Sequence, residues 1–265
     1  MLNSNQGAAH LSISTRAQKA IVAGGASGLG LAVVKSIVAQ QGCVTILDLN
    51  EAQGEAISAE LGEAVHFIPC DIRVPEQVES AVSQGHQFAN GLNVMVNCAG
   101  ILGAGRLLGR KGPMDPEYFR HVMEVNLFGS FLLTRAAAIH MANSAPNEVG
   151  ERGVVIHTAS IAAYEGQAGQ SAYAASKAGI TGMILPLARE LATQGIRVMA
   201  IAPGVFATPM MASVKADVRA AIEADIPFPS RMGHPDEYAD LVQSIIHNQM
   251  FNGSVIRLDG AMRLR

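Results

Sequence analysis

Tyr173 and Lys177 are the residues whose types and spacing most directly indicate chemistry in this sequence. They lie four positions apart in the segment SAYAASKAG, and this spacing puts both side chains on one face of a helix. An unperturbed tyrosine, with a pKa of about 10, is a weak base at neutral pH, but a neighbouring ammonium favours the phenolate. Such a pair can take the proton of an alcohol during oxidation or return it during reduction. The same spacing also occurs on ordinary amphipathic helices, so the surrounding residues must decide.

Ser160 and Asn126 are candidates to complete a site for an alcohol oxygen. Ser160 follows the apolar run VVIHT, which predicts a buried strand, so its hydroxyl is expected where it can stabilise charge on a substrate oxygen. Asn126 lies on a preceding predicted helix, where it could hold a water that relays a proton from Lys177 to solvent. A helix kink with the Asn126 side chain tied to backbone is the alternative.

A glycine-rich turn near the N-terminus indicates a site for a diphosphate. The predicted strand 19–23 runs into GGASGLG at positions 24–30, and a predicted helix follows. Glycine adopts backbone geometries closed to other residues, and the free amides of a helix N-terminus bind anions. An ordinary tight turn is the alternative. The residues predicted to hold the diphosphate are Gly24, Ser27, Gly28, Leu29 and Gly30.

Asp48 predicts which dinucleotide binds. It ends the second predicted strand about 20 residues after the turn, where a carboxylate can accept hydrogen bonds from the adenosine ribose hydroxyls. The same charge repels a 2′-phosphate, and the stretch 47–55 contains no Arg or Lys. NAD is therefore favoured over NADP. A capping role for Asp48 in a turn or helix is the alternative.

Two more segments at strand ends are predicted to border the cofactor. Asp71 and Ile72 follow the third predicted strand, where Asp71 can accept from the adenine amine and Ile72 can pack on the ring. Alternatively, Asp71 caps the helix that follows Pro75. The fourth strand ends at the carboxyl edge, where open α/β sheets bind ligands, although Asn97 could equally tie neighbouring strands. The residues predicted there are Asn97, Cys98, Ala99 and Gly100.

The elements that position these residues alternate short β-rich runs with longer helical segments, a pattern typical of a parallel sheet covered on both faces. Strands are predicted at 19–23, 43–48, 65–69, 93–97, 153–158, 196–202 and 254–258, and long helices at 117–140 and 171–193. We expect a flexible tail at 1–18 and a single domain at 19–265. The segment at about 204–235, rich in Pro, Met and small residues, predicts a substrate-binding loop or lid.

Composition excludes several classes of function. Of the 265 residues 49% are hydrophobic and 15% are charged, enough apolar material for a sizeable core. The net charge of -3 provides no basic surface for nucleic acid and no polybasic membrane anchor, and no apolar run reaches about 18 residues. Cys43, Cys70 and Cys98 form no CxxC pair and have no histidines at metal-ligand spacing. We therefore expect no metal, and reduced cysteines favour a reducing compartment.

Together and in this order, the motifs resemble those of the short-chain dehydrogenase/reductase family over residues 19–260. The resemblance implies an α/β fold, a single Rossmann-type doubly wound domain with a seven-stranded parallel sheet, and commonly a homotetramer. It also implies Tyr–Lys–Ser–Asn catalysis and a nicotinamide contact formed by Pro203, Gly204, Phe206 and Thr208. The family usually has threonine where Ala23 stands. The lost hydroxyl is worth about 1 kcal/mol, the value of one hydrogen bond, so fold and activity are expected to survive.

Four further segments carry a closer resemblance, namely TASIAAYEGQ, LPLAR, IPFPSR and VIRLDGA. They resemble one branch of the family, the type II 3-hydroxyacyl-CoA dehydrogenases, also called type 10 17β-hydroxysteroid dehydrogenases. The branch implies NAD-dependent oxidation of the 3-hydroxyl of a short or branched 3-hydroxyacyl-CoA. It places Gln167 and Tyr164 on the substrate side with Ser160 and Tyr173, and Met210 and Met211 on the substrate loop.

The branch also carries an insertion that corresponds to residues 103–113. Its Arg106, Arg110 and Lys111 could meet CoA phosphates or form an ordinary solvated loop. Three other functions stay open: a hydroxysteroid or general secondary-alcohol dehydrogenase, a 3-oxoacyl-carrier-protein reductase, and a non-catalytic NAD-binding scaffold subunit. The expected location is the cytoplasm, or the mitochondrial matrix if the source is a eukaryote.

Overall fold

A parallel sheet forms the centre of the protein in a computed structural model that describes residues 17–110, 112–212 and 216–264. Within those residues its seven strands have the order β3-β2-β1-β4-β7-β8-β9, and the two-residue strands β5 and β6 form a separate antiparallel hairpin. The strands are β1 Lys19–Ala23, β2 Cys43–Asp48, β3 Val65–Pro69, β4 Val94–Asn97, β5 Leu108–Gly109, β6 Gly112–Pro113, β7 Gly153–Thr158, β8 Ile196–Pro203 and β9 Val255–Leu258. The predicted Rossmann-type sheet of seven parallel strands in a single domain is confirmed.

Helices cover both faces of the sheet. They are α1 Gly28–Ala39, α2 Glu51–Leu61, α3 Pro75–Phe88, α4 Pro116–Met123, α5 Gly129–Ala142, α6 Ser171–Leu191, α7 Pro209–Ala212, α8 Ala216–Ala224 and α9 Pro235–His247. One core cluster joins α3, α5 and α6 to the sheet, and the other joins α1, α2 and α9 to its opposite face. Successive residues of a strand point to opposite faces, so Ile21 enters the first cluster and Val22 the second.

The order of the strands explains where a ligand can bind. The chain starts at β1, winds outward through β2 and β3, and then returns to the other side of β1 with β4. The loops that follow β1 and β4 therefore turn in opposite directions and leave a crevice at the carboxyl edge of the sheet. β7 and β8 are buried along their whole length, which accounts for their nearly continuous apolar sequences.

The predicted long helix at 117–140 is divided into three parts. α4 ends at Met123, a π-helical turn spans Glu124–Phe128, and α5 continues to Ala142. The 27 residues of Pro116–Ala142 are apolar enough to cross a membrane by length and composition, but half of their most apolar window is buried inside the protein. Packing of α5 against α3 and of α4 against α6 identifies the pair as core helices of the fold.

Other predicted boundaries differ from the observed ones by one or two residues. β4 and β9 each begin one residue later than predicted, β8 extends to Pro203, and α6 ends at Leu191 before a 3₁₀ turn. The substrate loop predicted at about 204–235 contains α7 and α8 rather than one irregular excursion. Lys111 lies outside the described residues, as do residues 1–16.

Gln18 corrects the predicted start of the folded domain. Its side chain is buried, and its amide exchanges hydrogen bonds of 2.7 and 3.2 Å with the amide of Gln243 on α9. Its carbonyl also accepts from the Cys43 amide at 2.8 Å. Buried amides need such partners, so Gln18 belongs to the domain and not to the predicted tail at 1–18.

Candidate active site

A cavity of about 840 Å³ runs along the carboxyl edge of the sheet, at the upper end of the range of about 300–1,000 Å³ typical of ligand sites. Most of the sequence-predicted site residues line it. From one end of the sheet to the other they are Asp71 and Ile72 after β3, Asp48 on β2, the glycine turn after β1, Cys98, Ala99 and Gly100 after β4, Ser160 after β7, and Pro203, Gly204, Phe206 and Thr208 at and after β8. Tyr173, Lys177 and Gln167 complete the predicted lining.

Close packing in the glycine turn excludes larger residues. A Cβ atom on Gly24, whose φ is +70°, would lie 2.6 Å from the Ala99 amide nitrogen. A Cβ atom on Gly30 would lie 2.1 Å from the Gly24 carbonyl oxygen. The turn therefore brings the backbone of the first strand, the first helix and the fourth-strand loop together. Close packing of a helix on a strand is one of the roles that glycines have in dinucleotide-binding turns.

Backbone hydrogen bonds brace the turn at the position where Ala23 replaces the family's threonine. The Ala23 carbonyl accepts from the Cys98 amide at 2.8 Å, and the Gly24 amide donates to the Leu47 carbonyl at 2.8 Å. Ala23 itself is completely buried. These bonds connect β1 to both of its neighbouring strands without a side-chain hydroxyl.

Asp48 lines the cavity and also stabilises the turn. One carboxylate oxygen accepts from the Ala26 amide and the other from the Asn50 amide, each at 3.1 Å. The side chain is half-buried, and each oxygen keeps lone-pair capacity beyond its single backbone bond. The capping alternative therefore describes part of its role, and the carboxylate still faces the cavity.

Arg73 is a cavity residue that the sequence analysis missed. Its guanidinium binds both carboxylate oxygens of Asp71, with Nε 3.0 Å from each, and its Nη1 lies 3.1 Å from Nδ1 of His121. The hydrogen bonds from Arg73 lower the pKa of Asp71. Asp71 does not cap α3, whose N-cap residue is Val74. The sequence DIR, in which Asp and Arg are two positions apart, could have predicted this ion pair.

The side chain of Asn97 is a structural tie and does not line the cavity. Its amide donates to the Ser130 hydroxyl at 2.8 Å, and its oxygen accepts from the Ala99 amide at 3.0 Å. The Thr158 hydroxyl donates to the Asn97 carbonyl at 2.7 Å. Asn97 thus has the alternative role, a tie between β4, β7 and α5, and a contact of its backbone with a cofactor stays a prediction. The neighbouring Cys98 thiol has its pKa raised to about 11 by burial, so it stays neutral.

Tyr173, Ser160 and Lys177 meet in the cavity as the spacing predicts. The Ser160 hydroxyl accepts from the Ala162 amide at 3.1 Å, which fixes its position at the start of a 3₁₀ turn. Nζ of Lys177 donates to the Thr158 carbonyl at 2.7 Å and lies 5.7 Å from the centre of the Tyr173 ring. The last strand residues before Ser160 thus orient the lysine as well as the serine.

Burial dominates the electrostatics of this group. It raises the pKa of Tyr173, while a hydrogen bond with Ser160 acts in the opposite direction. Burial also lowers the pKa of Lys177 to about 8. In the chain by itself desolvation therefore penalises both charged forms. That Lys177 and the positive nicotinamide of a bound oxidised cofactor together favour the phenolate stays a prediction.

Asn126 lies in the π-helical turn and is completely buried. Its oxygen accepts from the Ile101 amide at 2.8 Å, and its amide donates to the Ile101 carbonyl and to the Ser176 hydroxyl, each at 3.0 Å. A Cβ atom on Gly100 would lie 3.1 Å from this oxygen and 3.4 Å from Nζ of Lys177. Asn126 therefore ties the loop after β4 to α6 beside the lysine. The water relay stays a prediction.

The far end of the cavity differs from the sequence analysis at one residue. Met211 and Phe206 line the cavity, and Phe206 packs edge-on against Tyr238 with 6.4 Å between ring centres. Tyr164, predicted on the substrate side, is 52% exposed and packs under the Arg257 guanidinium outside the cavity. The side chain of Met210 lies outside the described part of the chain.

The carboxylates, histidines and cysteines of the described residues form no group of three that could hold a metal ion. The polar groups that meet around Ser160 are a phenol, a hydroxyl and an amine. They are suited to binding and proton transfer at an oxygen atom.

Known proteins are similar to this chain in sequence and in fold. A family model for short chain dehydrogenase matches residues 18–219. The chain is 46% identical over 254 residues to 3-hydroxyacyl-CoA dehydrogenase type-2 from Bos taurus and to the protein of the same name from Homo sapiens. Each match covers 95% of this chain and 97% of the relative.

A solved structure supports the same assignment. The crystal structure of 3-hydroxyacyl-CoA dehydrogenase type-2 from Mycobacterium avium matches with a TM-score of 0.89 and 42% sequence identity, over 93% of this chain and 96% of that one. The match with the family model covers more than half of the chain, and the predicted resemblance is confirmed. The chain belongs to the short-chain dehydrogenase family and is an oxidoreductase.

Proposed function

We propose that the protein uses NAD to oxidise the 3-hydroxyl of a short or branched 3-hydroxyacyl-CoA. The observation that carries this proposal is the convergence of Tyr173, Ser160 and Lys177 in one cavity with the Asp48 carboxylate and the glycine turn. The similarity to 3-hydroxyacyl-CoA dehydrogenase type-2 over 95% of the chain supports the choice of substrate. The coarser function, oxidation or reduction at a secondary alcohol carbon, needs only the first observation.

The residues of the cavity suit NAD. Gly24 and Gly30 allow the turn to pack closely, because a Cβ atom on either would clash with protein backbone, and Asp48 presents a carboxylate on the β2 side of the turn. Asp48 would bind the adenosine ribose hydroxyls, and Lys177 the hydroxyls of the second ribose. When bound, NAD supplies an acceptor for the hydride that leaves the carbinol carbon. Pro203, Gly204, Phe206 and Thr208 would hold its nicotinamide.

The proton chemistry belongs to the residues of the chain. Ser160 would donate a hydrogen bond to the substrate oxygen and hold it against the Tyr173 hydroxyl. Tyr173 would take the hydroxyl proton as the alcohol becomes a ketone. The buried ammonium of Lys177 stabilises negative charge nearby more strongly than it would in water, because the local dielectric constant is low.

The test follows NADH formation at 340 nm with L-3-hydroxybutyryl-CoA, with NADP in place of NAD, and with a 17β-hydroxysteroid. Turnover of the thioester with NAD, well above turnover of the steroid, supports the proposal. Steroid turnover with no thioester turnover keeps the chemistry and rejects the substrate. NAD binding without turnover of any alcohol would favour a non-catalytic scaffold.

Tyr173→Phe separates an enzyme from a scaffold because it removes only the hydroxyl. We expect kcat to fall by a factor of about 10²–10⁴, the usual contribution of a general acid or base. NAD affinity, measured by isothermal titration calorimetry, should change by less than about threefold, since the ring and Lys177 remain. Phe67 does not line the cavity. Phe67→Tyr, which makes the opposite change of one hydroxyl elsewhere in the protein, is therefore the control and should leave kcat unchanged.

We also propose that the protein is a homotetramer, as the family resemblance implies. Phe128, Phe131 and Ile139 on and beside α5 expose between 44 and 49% of their surface, and the two phenylalanine rings stack at 6.5 Å. A second copy would cover such apolar residues. Light scattering after size exclusion should give four times the monomer mass of 27.7 kDa, and a monomer mass would reject the proposal.

A further inference from the structure

The segment that follows the last strand forms part of the cavity wall. Residues 259–264 leave β9 at the end of the sheet farthest from β3, and Met262, Arg263 and Leu264 line the cavity. Because the adenosine-binding residues lie at β2 and β3, this wall belongs to the opposite end, beyond Ser160.

Met262 is the anchor of this wall. Its side chain is 3% exposed and packs in a small apolar cluster with Ile161, the neighbour of Ser160, and with Ile226 from the substrate loop. Ile222 and Leu264 pack against the same cluster and also line the cavity. The part of the wall formed by this cluster is therefore apolar and fits a carbon chain. Asp225 and Arg263 also line the cavity, and the charge of Arg263 is paired with Glu165 and Asp259.

Glu165 holds the wall in place. Its carboxylate accepts two hydrogen bonds from the Arg257 guanidinium, at 2.9 and 3.2 Å, and a third from the Leu264 amide at 3.1 Å. It also pairs with Arg263 at 3.4 Å. Since Glu165 lies five positions after Ser160, one side chain connects the segment of the catalytic serine to the C-terminal wall.

A second carboxylate closes the network. Asp259 accepts from Nε of Arg257 at 2.7 Å and from Arg263 at 3.1 Å, and the Met262 carbonyl accepts from both arginines at 3.1 and 2.6 Å. The backbone on either side of the methionine is thus held by charge-assisted hydrogen bonds, which are stronger than neutral ones. The position of the Met262 side chain is correspondingly well defined.

We propose that Met262 determines specificity by limiting the length of the carbon chain beyond the hydroxyl-bearing carbon, and that Glu165 is the positioning residue that keeps it there. The proposal rests on the proposed function only in assuming that the substrate carries such a chain. It holds equally for a simple secondary alcohol.

The experiment compares wild type with Met262→Ala on L-3-hydroxyacyl-CoA thioesters of four to ten carbons and, in parallel, on unbranched 2-alkanols of the same range. We expect the ratio of kcat/KM for the longest to the shortest chain to rise about tenfold, the lower value for one or two methylenes in an apolar pocket. Met262→Phe should lower the ratio. Met250→Ala is the matched control, because Met250 is 90% exposed and lies outside the cavity.

Glu165→Gln keeps the length of the side chain and removes its charge. It should raise the long-to-short ratio in the same direction as Met262→Ala, and Glu165→Asp, which restores the charge, should recover part of the wild-type profile. NAD affinity should stay within about twofold in every variant. A purely structural role would lower activity on all chains equally.

The two proposals fail in different ways. If thioesters are inert and 2-alkanols react, the proposed substrate is wrong, while the alkanol series still tests Met262. If Met262→Ala and Met262→Phe both keep the wild-type chain-length profile on the reacting series, the inference about Met262 is overturned.

Discussion

Replacing Asp48 by Asn should reduce the preference for NAD over NADP while the fold is retained. Each carboxylate oxygen accepts one backbone amide at 3.1 Å, from Ala26 and from Asn50. Asparagine has nearly the same shape but only one acceptor oxygen, so one of the two amides loses its partner. The negative charge that faces the cavity disappears.

The size of the effect follows from Coulomb repulsion. A unit charge on a 2′-phosphate about 5 Å from the carboxylate would be repelled by about 3 kcal/mol at an effective dielectric constant of about 20, equivalent to roughly two orders of magnitude in affinity. Asp48 is only half-buried, so solvent and salt reduce this value. We therefore expect the ratio of kcat/KM with NAD to that with NADP to fall by at least about tenfold.

The ratio of kcat/KM with NAD to that with NADP distinguishes the loss of the Asp48 charge from structural damage to the turn. Loss of one amide partner costs about 1–3 kcal/mol, but it affects both dinucleotides alike and cancels in the ratio. The assay measures kcat/KM for each cofactor at 50 and 500 mM salt, and the difference between Asp48→Asn and wild type should shrink at high salt. Glu51→Gln, which removes an exposed acid three positions away, is the control. An unchanged ratio in Asp48→Asn, or an equal fall in Glu51→Gln, would refute the role given to Asp48.

Three further outcomes are expected. The pKa of Lys177 is lowered to about 8 by burial, so its ammonium is present below that pH and is lost above it. The pH profile of kcat/KM should therefore show a transition near pH 8 that is absent in Lys177→Met. A transition present in both proteins would show that another group titrates there. Burial also lowers the pKa of His157 from 6.5 to about 3, so the unfolded chain binds a proton in that range that the folded chain does not. The contribution of His157 to the free energy of unfolding is therefore complete above pH 6.5 and falls by about 1.4 kcal/mol per pH unit toward pH 3. The free energy of unfolding, measured with urea at pH 6, 5 and 4, should depend less steeply on pH in His157→Asn than in wild type. An equal dependence on pH would contradict this. Gly30→Ala, whose Cβ would lie 2.1 Å from the Gly24 carbonyl oxygen, should lower the free energy of unfolding by at least about 1–3 kcal/mol. Gly182→Ala in α6, with nothing within 4 Å of its Cβ, should raise it by about 0.5–1 kcal/mol; thermal unfolding that ranks the two variants the other way would show that steric space is not what selects Gly30.

The sequence was sufficient to predict the residues that strand ends bring together. Asp48 ends β2, and Ser160 comes two positions after the end of β7. In a parallel sheet the carboxyl ends of all strands lie at the same edge, so knowing where each apolar run stops is enough to place these side chains near one another. The glycine turn follows the same rule, because its position depends only on the end of β1.

The direction and the partners of individual side chains could not be predicted in this way. Asn97 also ends a strand, but its amide turns toward Ser130 on a helix 33 positions later. Tyr164 turns outward to Arg257, 93 positions later. Arg73 also reaches His121, 48 positions later. In each case a partner distant in sequence decides the rotamer, and a strand boundary carries no information about it.

Asn126 shows what the spacing of apolar residues cannot predict within a helix. The spacing of apolar residues predicts one helix over 117–140. The π turn changes only one turn of this helix, and the helical spacing continues before and after it. Asn126 in this turn uses its whole side-chain amide on Ile101 and Ser176, which gives the half-buried backbone of Ile101 the partners it needs. The kink alternative for Asn126 thus has a structural cause that periodicity alone does not reveal.

For Tyr173 and Lys177 the sequence predicts that the two side chains lie close together, but it does not predict their pKa values. Their four-residue spacing predicts that the two groups meet, and Nζ of Lys177 does lie 5.7 Å from the tyrosine ring. Spacing contains no information about water, however, and burial raises the pKa of one group and lowers that of the other. At neutral pH the chain by itself therefore holds Tyr173 as a phenol. The proton acceptor needed for oxidation must then be created by what binds beside it, and a base of this kind is active only in the complex with its ligands.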